Sequence, residues 1–418
     1  MPSSALLQLV ARGKQDVYLT SNPQLTFFKH VYRRYTQFAM ESIPIDFDGN
    51  TDFGRRVTVV IPRYAELLSS LFIEVDLPPL PQTEGQPINY WVNDIGYALI
   101  TDVSIEIGDK EIDKHTGQWL NIWAELTTPS EKRDGYNEMI GHWDLYPPNA
   151  YDVSGGISLT IPLRFWFCNT IGAALPLIAL QAHPVRIIMH ITPFQNLWWS
   201  TATSTVPDAP CPSINPVSIT RFQMFGDYIY LDKDERERFA AVEHEYLIDQ
   251  LQISPIQSIP AGSSKISNSL YFNHCCKEFI WVVQQIRMTT AHEWFNYSTA
   301  LENNGGEPGR TDLLGTAILR LDGYDRFYVR NAPYFRLTQP YRHHTVVPDR
   351  FIYLYSFSIK PEDEQPTGTL NCSKIDDINL GLTFNPSYIS QERTLQVFAT
   401  NYNVLRIVGG LGGLAFMA

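Results

Sequence analysis

Residues 71–77 read Leu-Phe-Ile-Glu-Val-Asp-Leu, with Leu71, Ile73, Val75 and Leu77 on one parity. A period of two puts these four aliphatic side chains on one face of a strand, where a helix would scatter them. The same period governs residues 157–167, whose apolar set falls on odd positions, and residues 185–191. Pro78, Pro79 and Pro81 stop the first run and keep its edge from pairing onward. Short half-buried strands cut by proline can bury their apolar faces only against a second sheet.

Further strands are expected at 56–61, 219–231, 246–253, 316–321, 351–359 and 396–405, with a fully buried type at 277–284. Residues 103–107 and 110–112 flank Gly108-Asp109 and read as a tight hairpin. Between the halves lies one charged run, residues 231–244. Asp232 can cap it with Glu235 three residues on, Asp234 and Arg238 are spaced for an ion pair, and Phe239, Val242 and Tyr246 offer a narrow docking stripe. Shorter helices are expected over 5–11 behind Ser4, over 119–126, and over 22–38, where Asn22-Pro23 is a start signal. Residues 127–156 and 200–216 read as loops. Roughly eight strands to either side of the charged helix is the pattern of a sandwich or jelly roll. The resulting division is an arm at 1–22, a first β-domain at 23–231, a helical linker at 232–245 and a second β-domain at 246–418.

Aromatics at 13% and 28 prolines against 18% charged residues favour this all-β reading over bundles or disorder. A net charge of −12 argues against wrapping nucleic acid. Lys29, Arg33 and Arg34 interleave with Phe27 and Phe28, but one such patch is better read as a helix that plugs a β-domain. The five cysteines form an odd set without a C-x-x-C and are expected as free thiols. No run reaches the ~18 apolar residues that span a bilayer.

Chemistry is hard to find. His343-His344 with Asp349 resembles a ligand set, yet adjacent side chains diverge and no third His or Cys stands at ligand spacing. Cys275-Cys276 beside His274 lacks the spatial arrangement of a nucleophile and base. Glu362-Asp363-Glu364 and Asp376-Asp377 read as solvated turns, and Gly409–Gly413 has no helix to follow it as a phosphate loop. Asn296-Tyr-Ser298 and Asn371-Cys-Ser373 are sequons, Asn296 being the better placed in an expected loop.

Several segments resemble, in order, the double jelly-roll major capsid proteins of nucleocytoplasmic large DNA viruses. They include Asn22-Pro-Gln-Leu-Thr-Phe-Phe-Lys29, Lys277-Glu-Phe-Ile-Trp-Val-Val-Gln284, Gln339-Pro-Tyr-Arg-His-His344, Gln365-Pro-Thr-Gly-Thr369 and Asn401-Tyr-Asn-Val-Leu-Arg-Ile407. The resemblance runs from near residue 9 to the end. It implies an all-β fold of two consecutive eight-stranded antiparallel jelly rolls joined by a short helical linker. It further implies a homotrimer forming a pseudo-hexagonal capsomer in an icosahedral shell, bounded by neighbouring capsomers, minor capsid or cement proteins and a penton protein. An internal viral membrane lies nearby in such particles; no enzyme activity, cofactor or direct nucleic-acid contact is implied. The segment with Asn22, Pro23, Phe27, Phe28, Lys29, Arg33 and Arg34 falls where the family's N-terminal segments face the shell interior. The short stretch between Arg287 and Asp312 implies a low outer tower.

Two other readings stand beside it. One is a minor double jelly-roll paralogue. The other is a carbohydrate-binding jelly roll in which exposed Trp91, Trp143, Trp198 and Trp199 stack on sugars.

Overall fold

The computed structural model describes residues 4–82, 88–143, 156–200, 214–301 and 310–417. By contact the chain divides into Met1–Gln37 and Phe38–Ala418. The first unit carries helices α1 (Ser4–Val10) and α2 (Lys14–Thr20), followed by a stretch without helix. The helix expected over 22–38 is therefore absent. Phe27, Phe28, Val31, Tyr32 and Tyr35 are exposed, so no burial rewards the apolar stripe. Aromatic and β-branched residues are poor helix formers without that reward.

The second unit holds sixteen strands of four or more residues among those described, eight on each side of the charged helix. In the first half these are β1 (Phe38–Ile45), β2 (Arg56–Val60), β3 (Leu67–Leu77), β4 (Ile100–Ile107), β5 (Lys110–Thr116), β6 (Ile157–Pro162), β7 (Val185–Ile191) and β8 (Arg221–Leu231). They form two antiparallel sheets ordered β1-β8-β3-β6 and β2-β7-β4-β5, with Leu175–Pro176 added beside β3. The first strand thus lies beside the last, as a jelly roll requires. Pro44 sits in β1, an edge strand bonded on one side only, where a missing N–H is harmless.

The second half repeats the plan with β9 (His244–Ile253), β10 (Lys265–Leu270), β11 (Cys275–Gln285), β12 (Leu314–Leu321), β13 (Tyr353–Ser356), β14 (Ile378–Phe384), β15 (Arg393–Val408) and β16 (Leu411–Leu414). One sheet is ordered β9-β15-β11-β13 and the other contains β10-β14-β12. The first of these is seven-stranded, because 257–259, 370–371 and β16 join it, so this half is not a simple eight-stranded roll. Among the described residues no sheet mixes strands from the two halves.

The β4–β5 hairpin turns on Gly108 and Asp109, both at positive φ (58° and 64°), the backbone a two-residue turn needs. β6 stops at Pro162 and does not reach 167. Beyond Leu163 both parities are buried (Phe165, Trp166, Phe167), so the chain enters the core and turns as a short helix, Trp166–Asn169. Of residues 351–359 only β13 is strand. The loop expected at 127–156 contains α4 (Arg133–Ile140), closed by Gly141 at φ 72°. Residues 144–155, most of the expected 200–216 loop and Cys211 lie outside the described residues.

Helix α5 (Lys233–Ala241) is the charged run, and Asp232 caps it by accepting from the Glu235 N–H at 2.9 Å. Its docking differs from the expected stripe. Phe239 packs with Leu67, Ala174 and Ile229, whereas Val242 is exposed and Tyr246 belongs to β9. Its ion pairs are Lys233–Glu237 and Arg236–Glu66 rather than Asp234–Arg238.

Candidate functional site

What joins the two rolls is helix α3 (Gly117–Thr127), which the sequence located at 119–126. Thr116 caps it, its hydroxyl accepting from the Trp119 N–H at 3.2 Å. Nearly every side of α3 is apolar, which marks a helix buried all round. Leu120 and Ala124 enter the core of the first roll, while Trp119, Ile122, Trp123 and Leu126 enter that of the second. Trp119 stacks on Trp123 (5.3 Å) and meets Phe398 of β15 (5.5 Å).

At the start of α3 a Cβ on Gly117 would lie 2.1 Å from the Tyr97 carbonyl oxygen and 2.4 Å from that of Ile100. Both obstacles are backbone, so relief requires moving the segment that precedes β4. Gly117→Ala is expected to cost about 1–3 kcal/mol through this overpacking, read as a lowered urea midpoint. An unchanged midpoint would show that the segment yields freely.

Around α3 the seam is polar. Arg350 of the second half reaches Asp94 of the first, Glu125 of α3 at 3.3 Å, and the Phe295 carbonyl at 2.9 Å. His142 Nδ1 lies 2.8 Å from the other Asp94 oxygen. Burial opposes ionisation of Asp94, but Arg350 and then His142 overcome it and hold the carboxyl well below its usual range. Asp113 accepts from the Leu251 N–H at 3.0 Å and from His115 at 2.9 Å. His292 meets the Trp198 carbonyl at 2.7 Å, and the Trp294 indole donates to that of Asn196 at 2.8 Å. The C-terminal hairpin closes the far end: Gly410 accepts from Ala182 N–H at 3.0 Å, and the Gly412 N–H lies 3.2 Å from His183 Nδ1.

The deepest charges sit in β11. Lys277 Nζ is 2.8 Å from Asp249 and from the Pro361 carbonyl, and lies over the Tyr402 ring at 4.9 Å. Burial raises the Asp249 pKa despite Lys277. Glu278 meets His344 Nε2 at 2.7 Å, and His344 Nδ1 meets Glu362 at 2.8 Å. The imidazole lies perpendicular to the Trp123 ring at 6.1 Å. Burial alone would lower the His344 pKa; the Glu278 and Glu362 carboxylates instead raise it to about 9. His344 is therefore a buried imidazolium with both N–H groups donating to carboxylates.

The other sequence-derived residues fall as follows. His343 points to the Ile359 carbonyl (2.9 Å) and Asp349 to Arg133 (3.4 Å), so the three do not converge, and no metal-holding group occurs among the described residues. Glu362 is not a solvated turn residue: burial opposes its charge, but His344 and Thr345 hold its pKa below the ordinary value. The Cys276 thiol is pushed up by its hydrogen bond to Cys372 and by burial, the reverse of a nucleophile. Cys168, Cys275, Cys276 and Cys372 are free. Gly409 and Gly410, at φ 59° and 85°, make the β15–β16 turn.

Asn296 is buried, its Nδ2 donating to Glu293 and to the Ala300 carbonyl (2.8 Å) while Oδ1 accepts from Ser298 N–H (2.9 Å) and hydroxyl (2.7 Å). Asn371 is exposed. Trp91, Trp198 and Trp199 are buried and Trp143 is half-buried against the core, so the sugar-stacking set is packing. Asn22, Pro23, Phe27, Phe28, Lys29, Arg33 and Arg34 lie in the first unit, all exposed.

Sequence reasoning missed the Glu278–His344–Glu362 bridge. A signal existed: Lys277 and Glu278 directly precede the run Phe279-Ile-Trp-Val-Val283 of a strand expected to be buried, and buried charges need partners.

Known proteins share this fold. The family described as the N-terminus of the major capsid protein matches residues 26–232, and that of the large eukaryotic DNA virus major capsid protein matches residues 235–413. The major capsid protein of Pyramimonas orientalis virus is 40% identical over 98% of each chain, and that of Paramecium bursaria Chlorella virus 1 is 34% identical over 99% of each. The quasi-atomic PBCV-1 virus capsid superposes with a TM-score of 0.80 at 31% identity, covering 94% of this chain and 100% of that one. The Faustovirus major capsid protein does so at 0.75 with 11% identity, over 97% and 96% of the two chains, a likeness of fold alone. Two antiparallel jelly rolls in one chain, matched along their full length, place this protein in the major capsid protein family of large eukaryotic DNA viruses, as a structural protein of the virion shell.

Proposed function

We propose that the chain assembles as a homotrimer whose six rolls form a pseudo-hexagonal capsomer, the tile of an icosahedral shell. The observation that carries this is unsatisfied apolar surface on the second unit. Tyr271, Tyr324, Tyr328 and Tyr341 are each about four-fifths exposed or more, and edge strand β1 leaves Phe38 and Met40 half open. Aromatics of this kind concentrate at protein interfaces, and an unpaired edge needs a cover. Closed cyclic assembly covers both without leaving a growing filament.

The role is mechanical, without a catalytic step, cofactor or nucleic-acid contact of its own. Neighbouring capsomers, minor or cement proteins and a penton protein complete the shell, over an internal membrane that no described helix of this chain is long and apolar enough to cross. The stretch with Asn22, Pro23, Phe27, Phe28, Lys29, Arg33 and Arg34 faces the interior. The five basic residues of the first unit, Arg12, Lys14, Lys29, Arg33 and Arg34, against one acid, Asp16, contrast with the chain's net −12 and suit an acidic inner surface. The chain serves as the principal shell protein rather than a scarce paralogue.

Light scattering coupled to size exclusion tests this. A mass near three times 47.8 kDa is expected. A monomer persisting at the highest soluble concentration would overturn the capsomer reading.

A further inference from the structure

The seam between the rolls is tightly filled where Trp119 meets Phe398, but it opens two residues away on the same face of β15, at Gln396. There a cavity of about 520 Å³ runs between the rolls. The register pairs Gln396 with Val282 and Thr394 with Gln284, so these four side chains share the sheet face that forms one wall. Segments 97–101, 116–118 and 192–196 of the first roll form the other wall.

The lining is selective in kind. Ten of its eighteen residues carry an uncharged hydroxyl or amide, and none is Asp, Glu, Lys, Arg or His. A charged ligand would be desolvated there without a counter-charge, which is costly. A purely hydrocarbon ligand would strand the amides. Among the described residues the Asn196 and Gln396 side-chain amides have no hydrogen-bond partner, and each offers both donors and an acceptor.

The aromatic element is held in place before any ligand arrives. Gln284 Nε2 donates to the carbonyls of Glu293 (3.0 Å), Trp294 (3.0 Å) and Asn296 (3.2 Å), fixing that loop. The Trp294 indole N–H is tied across the seam to Asn196, and its ring is stacked on His292 at 5.7 Å and 12°. Trp294 is half-buried, so a large apolar plane borders the cavity in a fixed orientation.

We propose that this inter-roll cavity binds a neutral oligosaccharide: hydroxyls on the amides of Asn196 and Gln396, and an apolar sugar face against Trp294. The volume suits a ligand of a few rings. An extended peptide fits less well, because such segments add to open sheet edges. Here Thr394 is already paired on both sides, with Ser258 and Gln284. The site lies within one chain and does not depend on the capsomer reading.

The test uses the full chain on an array of neutral oligosaccharides with sialylated and sulfated counterparts, followed by calorimetric titration of the strongest neutral hit. Binding of neutral glycans is expected, weakened about tenfold or more by Trp294→Ala and by Gln396→Ala. Asn196→Ala guards against misfolding, since it removes a side chain with no protein partner; it should weaken binding at an unchanged melting temperature. No neutral binding, binding confined to charged glycans, or affinity indifferent to all three substitutions would overturn the assignment.

Discussion

His344→Ala is expected to destabilise the folded chain by about 3–5 kcal/mol, the penalty for leaving a buried charge without its partner. The Glu278 and His344 side chains are fully buried and that of Glu362 largely so. Removing the imidazolium leaves two carboxylates facing a void, and at least one must take up a proton. Thr400 and Thr345 still donate to Glu278 and Glu362, at 3.3 Å and 2.9 Å, so the loss is partial rather than complete collapse. His344→Gln should fall between, because an amide donates from one nitrogen and cannot serve both acids. The double variant His344→Ala/Glu278→Gln should recover part of the loss, since it deletes the stranded charge.

The same bridge fixes a pH dependence. The folded His344 pKa of about 9 lies above its ordinary 6.5. Its contribution is fully present below pH 6.5 and lost as pH rises through about 9. By linkage it amounts to about 3 kcal/mol. Urea midpoints at fixed protein concentration should fall across that window in the parent and stay flat in His344→Gln. A flat parent profile would mean that the imidazole is neutral in the fold.

Why this bridge escaped the sequence reading is a matter of distance along the chain. Sixty-six residues separate Glu278 from His344. Period-two patterning assigns each strand a face but says nothing of which distant loop covers it. Within elements the local rules served well. β7 coincides with the expected 185–191, the Gly108-Asp109 turn is a hairpin, and α3 covers the expected 119–126. The failures share one cause, which is context outweighing propensity. Residues 22–38 carry a good helix start but bury nothing, and Leu163–Phe167 alternate yet lie where both faces meet core. The tryptophans expected at the surface fill the interior, while Trp294 borders a cavity. A tryptophan's exposure depends on packing that no local pattern encodes.

The second large effect is expected at the charged crossing between the rolls. Arg350→Ala removes the only feature of the second half that reaches both Asp94 and Glu125 among the contacts described above. Asp94 is 2% exposed and sits at φ 53°, at the head of the short helix Ile95–Ala98. Burial and the contact with His142 at 2.8 Å hold the carboxylate away from water. A loss of about 3–5 kcal/mol is expected. Arg350→Lys should not restore it, because a compact ammonium lacks the planar fork whose separate nitrogens reach Asp94, Glu125 and the Phe295 carbonyl. Asp94→Asn in the Arg350→Ala background should be milder than Arg350→Ala alone, since the stranded charge is gone while His142 keeps an acceptor. If the double variant instead loses the sum of the two single losses, the penalty lies in packing against the Phe295 ring, 5.9 Å from the guanidinium. The pH sign is opposite to that of His344. The Asp94 pKa is depressed from 3.8, so its contribution is present above that value and lost as pH falls further. The two charged clusters thus limit stability at opposite ends of the pH scale, one held by a carboxylate kept ionised and the other by an imidazole kept protonated. Only the Arg350 cluster spans the seam beside α3, so its loss should also loosen one roll from the other and split a single unfolding transition into two, whereas the His344 bridge lies within the second roll.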